Sequence, residues 1–230
     1  MLLVNEIFES ISGEAGGFPQ GSWCTFIRLQ GCNLGCSWCD TQRARPPIKI
    51  NGAEECSLIS IISRVRELGN KKVLITGGEP LSQLETIELI EGLLDRDYEV
   101  QVETNGSYLI PFIPSVHWVI DYKCFSSGMT EKMLPISVLS CNLRTLRQAY
   151  SKRGGIYIKY VVADDADLFL AMQVIEELSV NGIQAKQIIS PVNAEGKRIK
   201  DIVKKLKEDI PEHLDQIVFS VQLHKICDLA

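Results

Sequence analysis

Thr25-Phe26-Ile27-Arg28-Leu29-Gln30-Gly31-Cys32-Asn33-Leu34-Gly35-Cys36-Ser37-Trp38-Cys39-Asp40 joins a β-rich run to a glycine-bounded loop carrying three cysteines within eight residues. Thr25 to Leu29 mixes β-branched, aromatic and aliphatic residues and predicts a strand. The cysteine loop then stands at that strand's carboxyl end, where parallel α/β sheets gather their functional loops. Further β-rich runs follow at Val73–Thr76, Glu99–Glu103, Trp118–Asp121, Ile156–Val161 and Gln187–Ser190. Between several of them lie stretches with apolar residues three and four apart, Leu58 to Leu68, Leu84 to Leu94 and Asp167 to Leu178, which predict outer helices. The fold expected is α/β, a partial, open TIM-like barrel of about six parallel βα units. Cys124 to Ser151 has less periodicity and contains Gly128 and Pro135, which predicts a shortened or irregular crossover. A helix from Arg198 to Glu208 stops before Pro211, and Gln216 to Gln222 reads as a closing strand.

A chain of 230 residues with 45% hydrophobic content can bury a full core, and residues 1–230 read as a single domain. The formal net charge of -5 leaves no broad basic field for a phosphate backbone, so nucleic acid is not an expected partner. Met1-Leu2-Leu3-Val4 runs straight into Asn5 and Glu6 without the basic start and sustained apolar stretch of a secretory signal. No segment is apolar for long enough to span a bilayer, and a cytoplasmic location is the default expectation.

Three of the eight cysteines crowd into Cys32 to Cys39, while Cys24, Cys56, Cys124, Cys141 and Cys227 are scattered. That asymmetry argues for a metal site over a disulfide framework, and the scattered five read as small buried hydrophobes. One loop with C-x-x-x-C-x-x-C spacing can wrap a 4Fe–4S cubane with three thiolates. A cubane needs one ligand per iron, so the fourth iron is left for a small chelating molecule. Structural zinc demands four closed ligands and would have to recruit Cys24, Cys56 or a histidine; a non-catalytic metal-binding module therefore stays as an alternative.

With an aromatic residue before the last cysteine and Gly77-Gly78-Glu79-Pro80 one βα unit later, the chain resembles the radical S-adenosylmethionine superfamily. The resemblance implies that S-adenosylmethionine chelates the open iron, that the cluster donates one electron, and that the cofactor's sulfonium breaks to a 5′-deoxyadenosyl radical. It implies no catalytic side chain, since the cofactor carries the radical. The same resemblance gives Gly77 and Gly78 a backbone close to the cofactor's methionine moiety, where any Cβ would intrude.

Four further stretches, Glu6 to Glu14, Phe26 to Leu34, Trp38 to Thr41 and Gln222-Leu223-His224-Lys225, resemble the 7-carboxy-7-deazaguanine synthases within that superfamily. This resemblance runs from about Glu6 to Lys225. It implies a ring-contracting carbon–nitrogen lyase of queuosine and deazapurine biosynthesis that turns 6-carboxy-5,6,7,8-tetrahydropterin into 7-carboxy-7-deazaguanine with loss of ammonia. Its implied substrate contacts are Ile11, Ser12, Gly13, Glu14, Arg28, Thr76 and His224, with the Arg28 guanidinium on the substrate carboxylate. Implied cofactor contacts are Trp38, Cys39, Asp40, Gly78, Glu79, Glu103, Asn105, Asp121, Tyr122, Lys123, Ser190, Pro191, Val192 and Asn193. Thr41 matches a Mg²⁺-binding position, which is sensible only if the substrate's own oxygens complete the ion's shell. A flavodoxin-like electron donor and a homodimer are the implied partners.

Two details depart from the family pattern. Ser12-Gly13-Glu14-Ala15 stands where Gln-Gly-Glu-Gly is common, and Cys124 appears where no cysteine is expected. His117 and His213, at element ends, read as structural. A glycyl-radical-enzyme activase of the same superfamily is the nearest alternative activity; it would lack the Gly-Glu loop and the Gln-x-His-Lys tail in this form.

Overall fold

The computed structural model describes residues 1–50, 52–148, 154–192 and 196–227, and at 196, 197, 224 and 225 it describes the backbone only. Its strands are β1 (Leu2–Ile11), β2 (Trp23–Leu29), β3 (Glu54–Cys56), β4 (Lys72–Gly77), β5 (Glu99–Thr104), β6 (His117–Asp121), β7 (Gly155–Val162), β8 (Lys186–Pro191) and β9 (Ile217–Phe219). They form one open sheet in the order β3-β1-β2-β4-β5-β6-β7-β8-β9. From β2 to β9 every neighbouring pair is parallel, as the βα reading requires.

The helices are α1 (Leu58–Leu68), α2 (Thr86–Leu94), α3 (Ile136–Gln148), α4 (Asp165–Val180), α5 (Gly196–Asp209) and the short α6 (Leu223–Ile226). α1 begins where the Ser57 side chain accepts the Ser60 N–H and ends at Gly69, whose φ of 78° closes the last turn. Strand alternation sends Ile27 and Leu29 of β2, Val73 and Ile75 of β4, and Ile156 and Ile158 of β7 to the helix side. There they pack with buried residues of the helices, such as Ile61 of α1, Leu89 of α2 and Ile175 of α4. Burying each such side chain contributes roughly 1.5–3 kcal/mol. Residues one step out of phase, including Phe26, Arg28, Thr76, Glu103, Asp121 and Lys159, face the opposite, concave side.

Two sequence expectations change. The segment before the expected first strand is itself β1, antiparallel to β2, with β3 antiparallel to β1 beyond it. β1 is half-buried along most of its length and β3 has three residues, so neither carries a clean period-two signal. The crossover after β6 contains short 3-10 turns at Phe125–Ser127 and Thr130–Lys132, as an irregular segment would, and then the regular thirteen-residue α3. Pro135 precedes that helix, where a missing N–H costs nothing. Among the described residues, no helix is long and apolar enough to cross a membrane.

Candidate active site

The carboxyl ends of β2, β4, β5, β6 and β7, the loop after β1 and the cysteine loop enclose one cavity of about 360 Å³. The cysteine loop is anchored at both flanks: Gly31 N–H donates to Ala44 O at 2.7 Å and Cys32 N–H to Arg45 O at 2.9 Å. Its tip is pinned to the turn after β6, where Ser37 N–H donates to Ser127 O at 3.1 Å and Trp38 Nε1–H to Ser126 Oγ at 3.2 Å. That turn is held in turn by Asp167 of α4, which accepts the Ser126 N–H at 2.9 Å.

Cys32, Cys36 and Cys39 all line the cavity. Cys32 Sγ accepts from Leu34 N–H at 3.4 Å and from Asn105 Nδ2 at 3.8 Å, contacts that favour a thiolate. Burial pushes the free Cys32 and Cys36 thiols up, and the Lys123 ammonium pulls both back toward ionisation. Among the described residues, no group of three or more His, Cys, Asp or Glu side chains is placed to hold a single metal ion. Three thiolates from one loop are nevertheless a suitable donor set for a cubane, whose cysteines each take a different iron.

Strand register builds the opposite wall. Arg28 of β2 pairs with Thr76 of β4, and Asp121 of β6 with Lys159 of β7. Glu6 Oε1 accepts from Arg28 Nε at 2.5 Å and from Arg43 at 2.5 Å, so one carboxylate orients two guanidiniums beside the cavity. Arg28 also reaches Thr41 Oγ1 at 3.4 Å, and the Thr41 hydroxyl donates to Asp40 Oδ1 at 2.9 Å. Asp121 Oδ2 takes Lys123 at 2.8 Å and Lys159 at 3.4 Å. Burial works against the ionised carboxylate of Asp121, but the two ammoniums outweigh it and hold its pKa below the usual value. Lys123 also stands 4.8 Å from the Trp38 ring centroid, a cation–π contact. Glu103 is half-buried beside Lys159 and Glu14, and burial raises its pKa despite the nearby ammonium.

Among the described residues, Asp121 Oδ1 is a buried polar atom of the cavity lining with no hydrogen-bond partner. An unmet buried acceptor costs about 1–3 kcal/mol, so a ligand that offers hydroxyls or amines here would recover that loss. A polar cofactor such as S-adenosylmethionine fits such a wall.

Of the residues the sequence singles out, Ile11, Gly13, Glu14, Arg28, Thr41 and Thr76 line the cavity, as do Trp38, Asp40, Gly78, Glu103, Asn105, Asp121, Lys123 and Val192. Ser12 is buried inside the turn after β1: its N–H donates to Ser22 O, its carbonyl accepts from Gly21, and its hydroxyl donates to Glu14 O. Glu79 is fully buried and its carboxylate is taken up by Leu81, Thr104 and Asn105. Tyr122 turns to the helix side near Tyr160, and Ser190 and Pro191 end β8 behind the cavity wall. Asn193 and the His224 side chain lie outside the described residues. Gly77 and Gly78 answer to the protein itself: a Cβ on Gly78 would stand 2.1 Å from Gly31 O, and one on Gly77 2.1 Å from Leu29 O. The close approach is between the ends of β2 and β4, in addition to any approach of a ligand.

Sequence reasoning passes over Lys159, Arg43 and Gln222, which also line the cavity. Lys159 interrupts an apolar strand at a concave-facing position, and a charge there is the signal that finds it. Gln222 belongs to the quoted Gln-x-His-Lys stretch and donates to Glu14 Oε1 at 2.7 Å.

The profile of the Radical SAM superfamily matches residues 26–113. A 7-carboxy-7-deazaguanine synthase of Aquifex aeolicus is 30% identical over 229 residues, spanning 100% of this chain and 94% of that protein. One of Clostridium acetobutylicum is 34% identical over 227 residues, spanning 97% and 94%. The crystal structure of QueE from Escherichia coli superposes with a TM-score of 0.69 at 20% identity, over 96% of this chain and 93% of that one, a likeness of fold. With full-length relatives at this identity and the cysteine loop at the mouth of a matching fold, the chain belongs to the 7-carboxy-7-deazaguanine synthase family of radical SAM enzymes.

Proposed function

We propose that this enzyme converts 6-carboxy-5,6,7,8-tetrahydropterin to 7-carboxy-7-deazaguanine with release of ammonia, in queuosine and deazapurine biosynthesis. One observation carries the reading: a loop of three cysteines and a carboxylate-oriented Arg28 stand on the wall of one cavity. When bound, the 4Fe–4S cluster and S-adenosylmethionine supply one-electron radical chemistry. The chain's own residues then bind, orient and insulate.

Cys32, Cys36 and Cys39 would hold three irons, leaving the fourth for the amino and carboxylate groups of S-adenosylmethionine. Trp38, Asp40, Gly78, Glu103, Asn105, Asp121, Lys123 and Val192 would surround that cofactor directly. Glu79, Tyr122, Ser190 and Pro191 would support it from behind. Arg28, held in place by Glu6, offers two donors to the substrate carboxylate. The backbone of Ile11, Ser12 and Gly13, with Glu14 and Thr76, would meet the pterin edge, whose donors and acceptors lie in one plane. His224 would approach from the carboxyl-terminal segment. Thr41 and Asp40 present hard oxygens suited to Mg²⁺, with the substrate's carboxylate completing the shell. The same proposal includes a flavodoxin-like electron donor, a homodimer and a cytoplasmic setting in a single-domain protein.

Anaerobic reconstitution with iron and sulfide, followed by product analysis with the carboxypterin, S-adenosylmethionine, a reductant and Mg²⁺, tests this reading. The deazaguanine is expected, with S-adenosylmethionine regenerated. Formation of 5′-deoxyadenosine only beside a protein partner would point to a glycyl-radical activase instead, and zinc without iron or sulfide to a metal-binding module.

A further inference from the structure

Lys159 is a buried cation in a strand that is otherwise apolar through Tyr160, Val161 and Val162. Its ammonium makes a close ion pair with Glu14 Oε2 on the loop after β1 and a second, at 3.4 Å, with Asp121 Oδ2 at the end of β6. Glu103 adds a third nearby carboxyl. A lysine so deep is costly unless paired, and here its partners come from two different parts of the cavity. Glu14 has its other oxygen on Gln222, so its carboxylate is held from both sides. Asp121 differs, because Lys123 holds the same Oδ2 more closely, at 2.8 Å. Loss of Lys159 would therefore leave Asp121 anchored while Glu14 lost the one ion-pair partner it has among the described residues.

We propose that Lys159 is a positioning residue for substrate: it fixes the Glu14 carboxylate against the cavity wall so that its free lone pairs meet the pterin's N–H groups. Lys159 acts through Glu14 and does not enter the chemistry. A carboxylate oxygen has room for a second donor beside the ammonium, so the ion pair and the substrate contact coexist. The inference rests on the substrate reading above.

The test compares reconstituted wild type with Lys159→Met and Lys159→Arg, reading KM for the carboxypterin, kcat, and the dissociation constant of S-adenosylmethionine. Cluster absorbance and circular dichroism report on folding. Lys159→Met is expected to raise KM about tenfold or more, the scale of a lost charge-assisted contact, with kcat falling less. Cofactor affinity should change about twofold or less, as Lys123 still holds Asp121. Lys159→Arg should recover most of the KM. If the Met variant does not fold, Lys159→Gln, which keeps a neutral donor at the same depth, carries the same expectation. An unchanged KM in a folded neutral variant overturns the inference while leaving the substrate assignment standing. Absence of deazaguanine from wild type overturns both.

Discussion

Glu79 Oε2 accepts the backbone N–H of Asn105 at 2.6 Å, and through it a buried carboxylate ties the turn after β4 to the turn after β5. Oε1 accepts the Leu81 N–H and the Thr104 hydroxyl, each at 2.8 Å. Burial raises the pKa of this carboxyl, and the three donors oppose that shift. Asn105, thus fixed, reaches Cys32 Sγ and Asn33 with its side chain. Glu79→Ala would orphan three buried donors and is expected to cost about 3 kcal/mol or more. Urea denaturation of the apoprotein measures it; a loss below about 1 kcal/mol would show that water or another group replaces the carboxylate.

Gly78→Ala separates two reasons for a glycine. The added Cβ would lie 2.1 Å from Gly31 O and 2.7 Å from Ala44 O, both backbone atoms that cannot swing aside. Gly78 N–H donates to Leu29 O at 3.0 Å and Glu79 N–H to Gly31 O at 2.7 Å, so the collision would pull on two hydrogen bonds. The variant should lose about 3 kcal/mol of stability without any cofactor present. Thermal melting of the apoprotein decides the matter. An unaltered melting temperature, together with weakened S-adenosylmethionine binding, would return the glycine's role to the ligand alone.

Glu6 couples stability to pH through its two arginines. Burial opposes its ionisation, but hydrogen bonds and charge from Arg43 and Arg28 prevail and hold its pKa below the usual 4.5. A depressed folded pKa contributes stability that is fully present above the unfolded value and is lost as pH falls through the folded one. Glu6→Gln should therefore be less stable than wild type at neutral pH, and the gap should close as pH falls below 4.5 through the depressed pKa of the folded protein. Paired urea titrations across that range provide the measurement. A gap that stays constant with pH would mean that Glu6 contributes by packing and not by charge.

The parallel half of this fold was legible because its strands are buried on both faces by helices or ligand wall, and so stand out as apolar runs bounded by polar ones. Val73 to Thr76 and Trp118 to Asp121 are of that kind. β1 was not, since Asn5, Glu6 and Glu9 break its pattern at an antiparallel, half-exposed position. The cysteines were legible from spacing alone. Lys159 was not, because its meaning depends on Glu14, 145 residues away in the chain, and on the register that sets Asp121 beside it. Glu79 was legible as part of a motif, yet its partners assign it to joining strand ends, which residue identity alone does not reveal.

The eight cysteines divide by environment, and that division is testable without turnover. Burial, with some help from Glu103, pushes the Cys24 thiol up to about 12. Burial likewise raises Cys124, which lies in the core beneath the turn after β6. At pH 8 a thiol with a pKa near 12 is ionised to about one part in ten thousand, against roughly a quarter for an ordinary one. Cys141 and Cys227 are exposed, so of the five scattered cysteines expected to be buried only Cys24, Cys56 and Cys124 are. Brief alkylation of the apoprotein, read by peptide mass, should modify Cys141 and Cys227 and spare Cys24 and Cys124. Repeating it after anaerobic reconstitution should show new protection at Cys32, Cys36 and Cys39 and nowhere else, because a thiolate bound to iron is no longer a free nucleophile. Cys36→Ala should abolish that protection pattern along with the cluster's absorbance. Protection of a fourth cysteine on reconstitution would close the iron corner reserved for S-adenosylmethionine, and with it the chemistry assigned to the cavity.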